Sequence, residues 1–179
     1  MLNLLQKIFA MEGLAYLYPL IWLFFAGFLL SMMPKEQMLV CGKVQRRWAR
    51  SSAFLLVLPL IFWAGLRGYV GDSYLYMVNF RNAPDSLAAL LPTINSNTKD
   101  PGYAILMTVA KMLGISDYRI FFLIIAAFQM LCMVWTFRKY STNYWISIFL
   151  FVVSTDYISW MFNGTRQFIA ATMIFGAFD

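Results

Sequence analysis

Seven residues carry most of the chemistry this sequence could do. Arg67 and Asp72 lie in LRGYVGDSYLYMVNF, Asp100 and Tyr103 in KDPGYAIL, and Asn163, Arg166 and Gln167 in NGTRQFIAA. Arginine keeps its charge, and its planar fork matches phosphate oxygens in pairs. A carboxylate beside a reacting hydroxyl can take its proton. Taken singly, each has a plainer reading. Arg67, at the end of an apolar run, can be an arginine reaching for headgroups. Asp72 can be a helix cap, KDPGY a turn into a helix, and NGTRQ a helix break. Only the placement of the elements that carry them can join them into one site.

Composition sets those elements in a membrane. The 179 residues are 61% hydrophobic and 12% charged, against about 45–50% and 25% in an ordinary globular domain. Aromatics at 18% suit the two lipid–water boundaries. The net charge of +6 reads as basic cytoplasmic loops. It does not read as a nucleic-acid surface, because no basic face with interleaved aromatics lies outside the apolar segments. Without histidine, no Ser-His-Asp triad can form within the chain. Cys41 and Cys132 belong to no CxxC pair, so no zinc site is expected, nor any other metal or cofactor. Cys132, inside an apolar run, acts as a small hydrophobe.

Hydropathy predicts an all-α polytopic bundle forming one membrane domain over residues 1–179. Leu4, Leu5, Ile8 and Met11 share a face of an interfacial helix. A signal peptide's basic start, short apolar core and cleavage site are not visible. Spans are predicted at Leu14–Met33, Ser52–Leu66, Tyr118–Phe137 and Tyr144–Trp160. Residues 34–50 carry Lys35, Lys43, Arg46, Arg47 and Arg50 against Glu36 alone, which predicts a solvated cytoplasmic loop. Asp72–Ser73 and Ser86 can start short helices, and INSNTK is a loop by composition. Asp100 as N-cap, Pro101 at the first position and Gly114 at the end bound a helix over 101–113. That helix is too short to cross a bilayer, and it carries Lys111. If it is re-entrant or interfacial on the outer face, Arg138 and Lys139 fall inside, as the charge rule prefers. Ser116–Asp117 cap the third span. Asn163-Gly164 breaks the chain before a last helix starting near Thr165.

With that topology, all seven residues fall on the outer face. Arg67, Arg166 and a carboxylate around one cavity would suit a lipid pyrophosphate. Arg166 sits at a helix start, itself electropositive, and so calls for an anion: Asp72, Asp156 or a ligand pyrophosphate. Composition and spacing do not choose the chemistry.

LRGYVGDSYLYMVNF, KDPGYAIL and SIFLFVVSTDYISWMFNGTRQFIAA, in this order and spacing, resemble the EpsG family of bacterial polysaccharide polymerases, related to the Wzy group. The resemblance covers essentially the whole chain and the amino-terminal half of a family member. It implies a multi-pass inner-membrane protein that joins oligosaccharides carried on undecaprenyl pyrophosphate into capsule, O-antigen or exopolysaccharide. The partners it implies are those lipid-linked glycans, the bilayer and other glycan-assembly membrane proteins. The implied enzyme is a metal-independent glycosyltransferase. In it Arg67, Asp72 and Arg166 serve catalysis, while Asp100, Tyr103, Asn163 and Gln167 bind substrate. Thr165–Asp179 is too short to cross about 30 Å, so a truncated chain, inactive alone, is expected. A transporter or flippase component and a non-catalytic membrane fragment are the alternative readings.

Overall fold

The computed structural model describes residues 12–94, 100–154 and 156–177. The expected amino-terminal interfacial helix, most of the INSNTK loop and the chain end at Phe178-Asp179 lie outside the described residues.

Helix α1 (Glu12–Ser31) is followed by a hairpin of β1 (Lys35–Val40) and β2 (Lys43–Trp48). Then come α2 (Arg50–Gly65) and α3 (Ser73–Asn82), and α4 (Leu87–Leu90) running into a 3-10 turn, Leu91–Thr93. The chain continues with α5 (Pro101–Met112), α6 (Tyr118–Tyr140) and α7 (Tyr144–Val153). A short α8 (Asp156–Ile158) leads into a π turn, Ser159–Asn163, and α9 (Thr165–Ala177) is the last described element.

Among the described residues, α6 alone is long and apolar enough as a single helix to cross a membrane. Ile120, Ile124, Phe128, Leu131 and Trp135 form an exposed stripe along it, at the spacing of one helical face. Phe24, Phe25, Phe28 and Leu29 are likewise exposed on α1. Exposed apolar surface of this extent suits lipid or a partner rather than water. The shorter α2 is also apolar.

The helices are locked by aromatic donors that reach backbone carbonyls of their neighbours. Trp22 Nε1 donates to Leu56 O (2.8 Å) and Trp145 Nε1 to Leu23 O (2.7 Å). Tyr144 donates to Ala53 O (2.9 Å) and Tyr157 to Leu60 O (2.6 Å). Inside an apolar bundle such bonds face little competition from water. α2 and α6 run antiparallel in close contact, since a Cβ on Gly65 would lie 2.6 Å from Leu123 Cα. The main core joins α1, α2, α6, α7 and the π turn. A second, smaller core packs α3 and α5 on the first half of α6.

Two sequence expectations need correction. Residues 34–50 are not an irregular loop, so the described fold is not purely helical. Val40 pairs with Lys43, leaving a two-residue turn in which Cys41 (φ 48°) and Gly42 (φ 73°) are both left-handed. That is the turn whose twist suits antiparallel strands. The hairpin is fixed from far along the chain. Arg138 donates to Trp48 O and pairs with Glu36, and Arg47 donates to Ser141 O. The second correction concerns Tyr144–Trp160, which is not one straight span. α7 ends at Val153, and the segment from Asp156 to Asn163 is bent by 73° from it. Ser154 Oγ bonds Asp156 Oδ2 (2.8 Å) at the break, where short polar side chains compete with the helical ladder.

Other local expectations hold. Ser86 accepts from Ala89 N (3.3 Å) and Asp117 from Arg119 N (2.9 Å) as N-caps. Gly114 is left-handed (φ 85°) just after α5, and α9 begins at Thr165 after Asn163-Gly164. At 12 residues, α5 is about 18 Å long. Lys111 on α5 donates to Arg81 O (3.0 Å) and Ala83 O (2.5 Å). It thereby caps α3, where a cation meets the helix's negative end.

Candidate functional site

At the end of the bundle away from the hairpin, the three motifs meet around Tyr76, which is 2% exposed. Its hydroxyl donates to Asn163 O (2.5 Å). Arg67 and Arg166 lie 5.9 and 5.7 Å from its ring centre, and the Tyr103 ring lies at 5.8 Å. Sequence reading passed over Tyr76. The only signal was its place one turn after Asp72, facing inward with Ser73 and Met77.

Asn163 docks the third motif on the first. Its Oδ1 accepts from Asp72 N (3.1 Å), beside Gly71. That glycine is left-handed (φ 57°), and a Cβ there would lie 1.8 Å from Asn163 Oδ1. Gly71 is therefore required twice, for backbone conformation and for close approach. Gly71→Ala is expected to cost about 2 kcal/mol from the left-handed strain alone. A fall in Tm of about 4–8 °C should follow, with Asn163 displaced. An unchanged melting curve would remove Asn163 docking from the account.

The two arginines do not share a cavity, as the sequence had suggested. Arg67, 4% exposed, turns inward. It donates to Met161 O and, at 3.3 Å, to Thr165 Oγ1. It lies over Phe122 (4.5 Å) and Phe162 (5.2 Å), within reach of cation–π attraction. Burial lowers its pKa to about 10, still a cation at neutral pH. The void beside it holds only about 10 Å³. Its partner carbonyl belongs to the π turn, and such turns recur where helices are reshaped for function. Gln129, also missed, supports the same place by donating to Thr165 O (3.1 Å). It is the single side-chain amide within α6, and that isolation was its sequence signal.

Arg166 is partly exposed and pairs with Asp100, not with Asp72 or Asp156. Asp100 therefore does not cap α5 with its side chain. Its backbone is left-handed (φ 54°) and no cap bond forms. Asp72 also stands at an N-cap position without capping, and its carboxylate is exposed with no partner among the described residues. Gln167 is exposed. Tyr103 lies between Tyr76 and Phe121, so its ring is already engaged.

Asp100, Tyr103 and Arg166, with Asn79, Asn82 and Met107, line an open cleft of about 240 Å³. On these lining residues Tyr103 Oη and Arg166 Nε are buried with no hydrogen-bond partner among the described residues. Orphaned polar groups in a cleft invite a ligand or ordered water. Among the described residues no cluster suits a metal ion. No curated protein and no solved structure matches the chain. The family model that does match covers residues 52–179, all three motifs included, and the chain belongs to the EpsG family.

Proposed function

We propose that the chain forms part of a polysaccharide polymerase at the outer face of a bacterial inner membrane, acting on repeat units carried by undecaprenyl pyrophosphate. Family membership supports the polysaccharide role. The observation that carries the rest is the convergence of the three motifs on a cleft with unsatisfied donors, at one end of an apolar bundle. Transfer needs a base, an anion-stabilising group and a positioned acceptor. Asp72 takes the acceptor hydroxyl's proton as its oxygen attacks the anomeric carbon of the donor sugar. The bond from that carbon to the pyrophosphate breaks, and the electron pair leaves with the lipid pyrophosphate. Arg166 meets the charge developing there. Arg67 does not touch substrate in this scheme. It holds the π turn and Thr165, so that Arg166 leaves the helix start in the right direction. Tyr103 lines the cleft, Asn163 holds the third motif against the first, and exposed Gln167 offers its amide to sugar hydroxyls.

The test uses a full-length family member in a polymerase-deficient host. Asp72→Asn is expected to lower polymer about a hundredfold, with normal membrane abundance and single repeat units accumulating on the carrier at the outer face. Normal polymer would remove Asp72 as base. The bend after α7 gives the transporter reading its one support, since carriers use broken helices. Repeat units stranded at the inner face in a deletion strain would favour that reading instead.

A further inference from the structure

A second cavity lies at the opposite end of the bundle, under the hairpin. It holds about 110 Å³, and Lys35, Arg46, Arg47, Arg138, Ser141 and Asn143 are among its lining residues. Four of these carry positive charge, and no carboxylate lines the cavity. Glu36, outside the lining, pairs with Arg138 and also accepts from the Arg50 backbone N–H at 3.2 Å. No carboxylate among the described residues pairs with Lys35, Arg46 or Arg47. Arg47 gives its two terminal nitrogens to Ser141 O and Gln45 Oε1. Its Nε is buried with no partner among the described residues, an unsatisfied donor on a residue that lines the cavity. The start of α7 adds its own positive end, with Asn143 as the cap. Like charges gathered around one cavity repel one another, and an anion there would relieve that repulsion.

The surroundings say where the anion comes from. Leu39 and Val44, cross-strand partners at the hairpin tip, are 66% and 67% exposed, and Met32 and Met33 are also exposed. Cations beside outward apolar side chains are the pattern of a segment lying in a membrane interface. Basic pockets between membrane helices suit lipid headgroups. We infer that this cavity binds the phosphate of an anionic phospholipid, clamped between the hairpin and the α6–α7 turn. The site is separate from the cleft and does not depend on the proposed polymerase chemistry.

The test measures binding to the purified full-length protein in neutral detergent. The probes are phosphatidylglycerol, phosphatidylcholine and inorganic phosphate, followed by thermal shift and by mass spectrometry of intact complexes. Phosphatidylglycerol is expected to bind and to raise Tm, while phosphatidylcholine does neither. The informative variant is Lys35→Gln with Arg46→Gln. Neither side chain has a hydrogen bond within the described residues, so folding is kept. It should weaken phosphatidylglycerol binding about tenfold or more, the loss expected for charged hydrogen bonds. The control, Lys43→Gln with Arg50→Gln, removes equal charge outside the cavity lining and should change binding less than about twofold on the same scale. Competition by inorganic phosphate at millimolar concentration would make the occupant a free phosphate in the same anion site. Its absence would make the occupant the lipid. Equal loss in both double variants, or no loss in either, would overturn the site and leave only diffuse surface attraction.

Discussion

Arg67→Ala is expected to abolish polymer in a full-length family member and to destabilise the protein by about 3 kcal/mol or more, the range for breaking a buried polar network. The guanidinium is 4% exposed and bridges Met161 O and Thr165 Oγ1. Removing it opens a void among Phe122, Phe162 and Tyr76 and discards their cation–π contacts, each worth about 2 kcal/mol when desolvated. Met161 O keeps its bond from Thr165 Oγ1 (2.8 Å), so the π turn loosens without losing every partner. Arg67→Lys should fall between wild type and alanine. An ammonium keeps the charge, but it cannot span two acceptors or stack as a planar fork. The decisive readout is Tm beside polymer yield. A positioning role requires both to fall together. Polymer lost from Arg67→Lys with an unchanged Tm would mean that Arg67 contacts substrate, and the inward assignment would be wrong.

The opposite signature is expected at Arg166. Arg166→Lys should leave Tm within about 2 °C, because an exposed ion pair contributes about 0–1 kcal/mol. Polymer yield should nevertheless fall about a hundredfold, the usual loss when one group stabilising a developing anion is removed. Lysine keeps the cation but not the bidentate fork. The ion pair with Asp100 offers a second discriminator. If its only purpose is to hold α9 to the start of α5, the exchange Arg166→Asp with Asp100→Arg should restore polymer. If Arg166 meets the leaving pyrophosphate, the exchanged protein stays inactive although folded. Polymer length and yield on a gel, with membrane abundance as control, decide it. Near-normal polymer from Arg166→Lys would retire the pyrophosphate role.

Features that depend on neighbours a few residues away were legible in the amino-acid order. Apolar runs became α2 and α6, because backbone groups packed away from water satisfy one another within a helix. Ser86 and Asp117 cap helices as read, Gly114 stops α5, and Asn163-Gly164 interrupts the chain before Thr165. All of these are choices within one turn. Tertiary structure decided the rest. Asp100 looked like a cap, yet a left-handed backbone takes its carboxylate away from α5 and an arginine 66 positions later receives it. Arg67 looked like a surface anchor, since nothing near it in sequence announces a carbonyl 94 residues away at the π turn. Residues 34–50 looked like solvated loop because basic residues outnumber the single carboxylate, Glu36. Their alternation and the Cys41-Gly42 turn were visible, but the arginines that hold the hairpin against the bundle reach across 90 residues or more. The physical difference is range. Caps and apolar helices are fixed by local hydrogen bonding and burial. The partner of a charge is fixed by which distant group the packed helices bring within reach, and no local pattern encodes it.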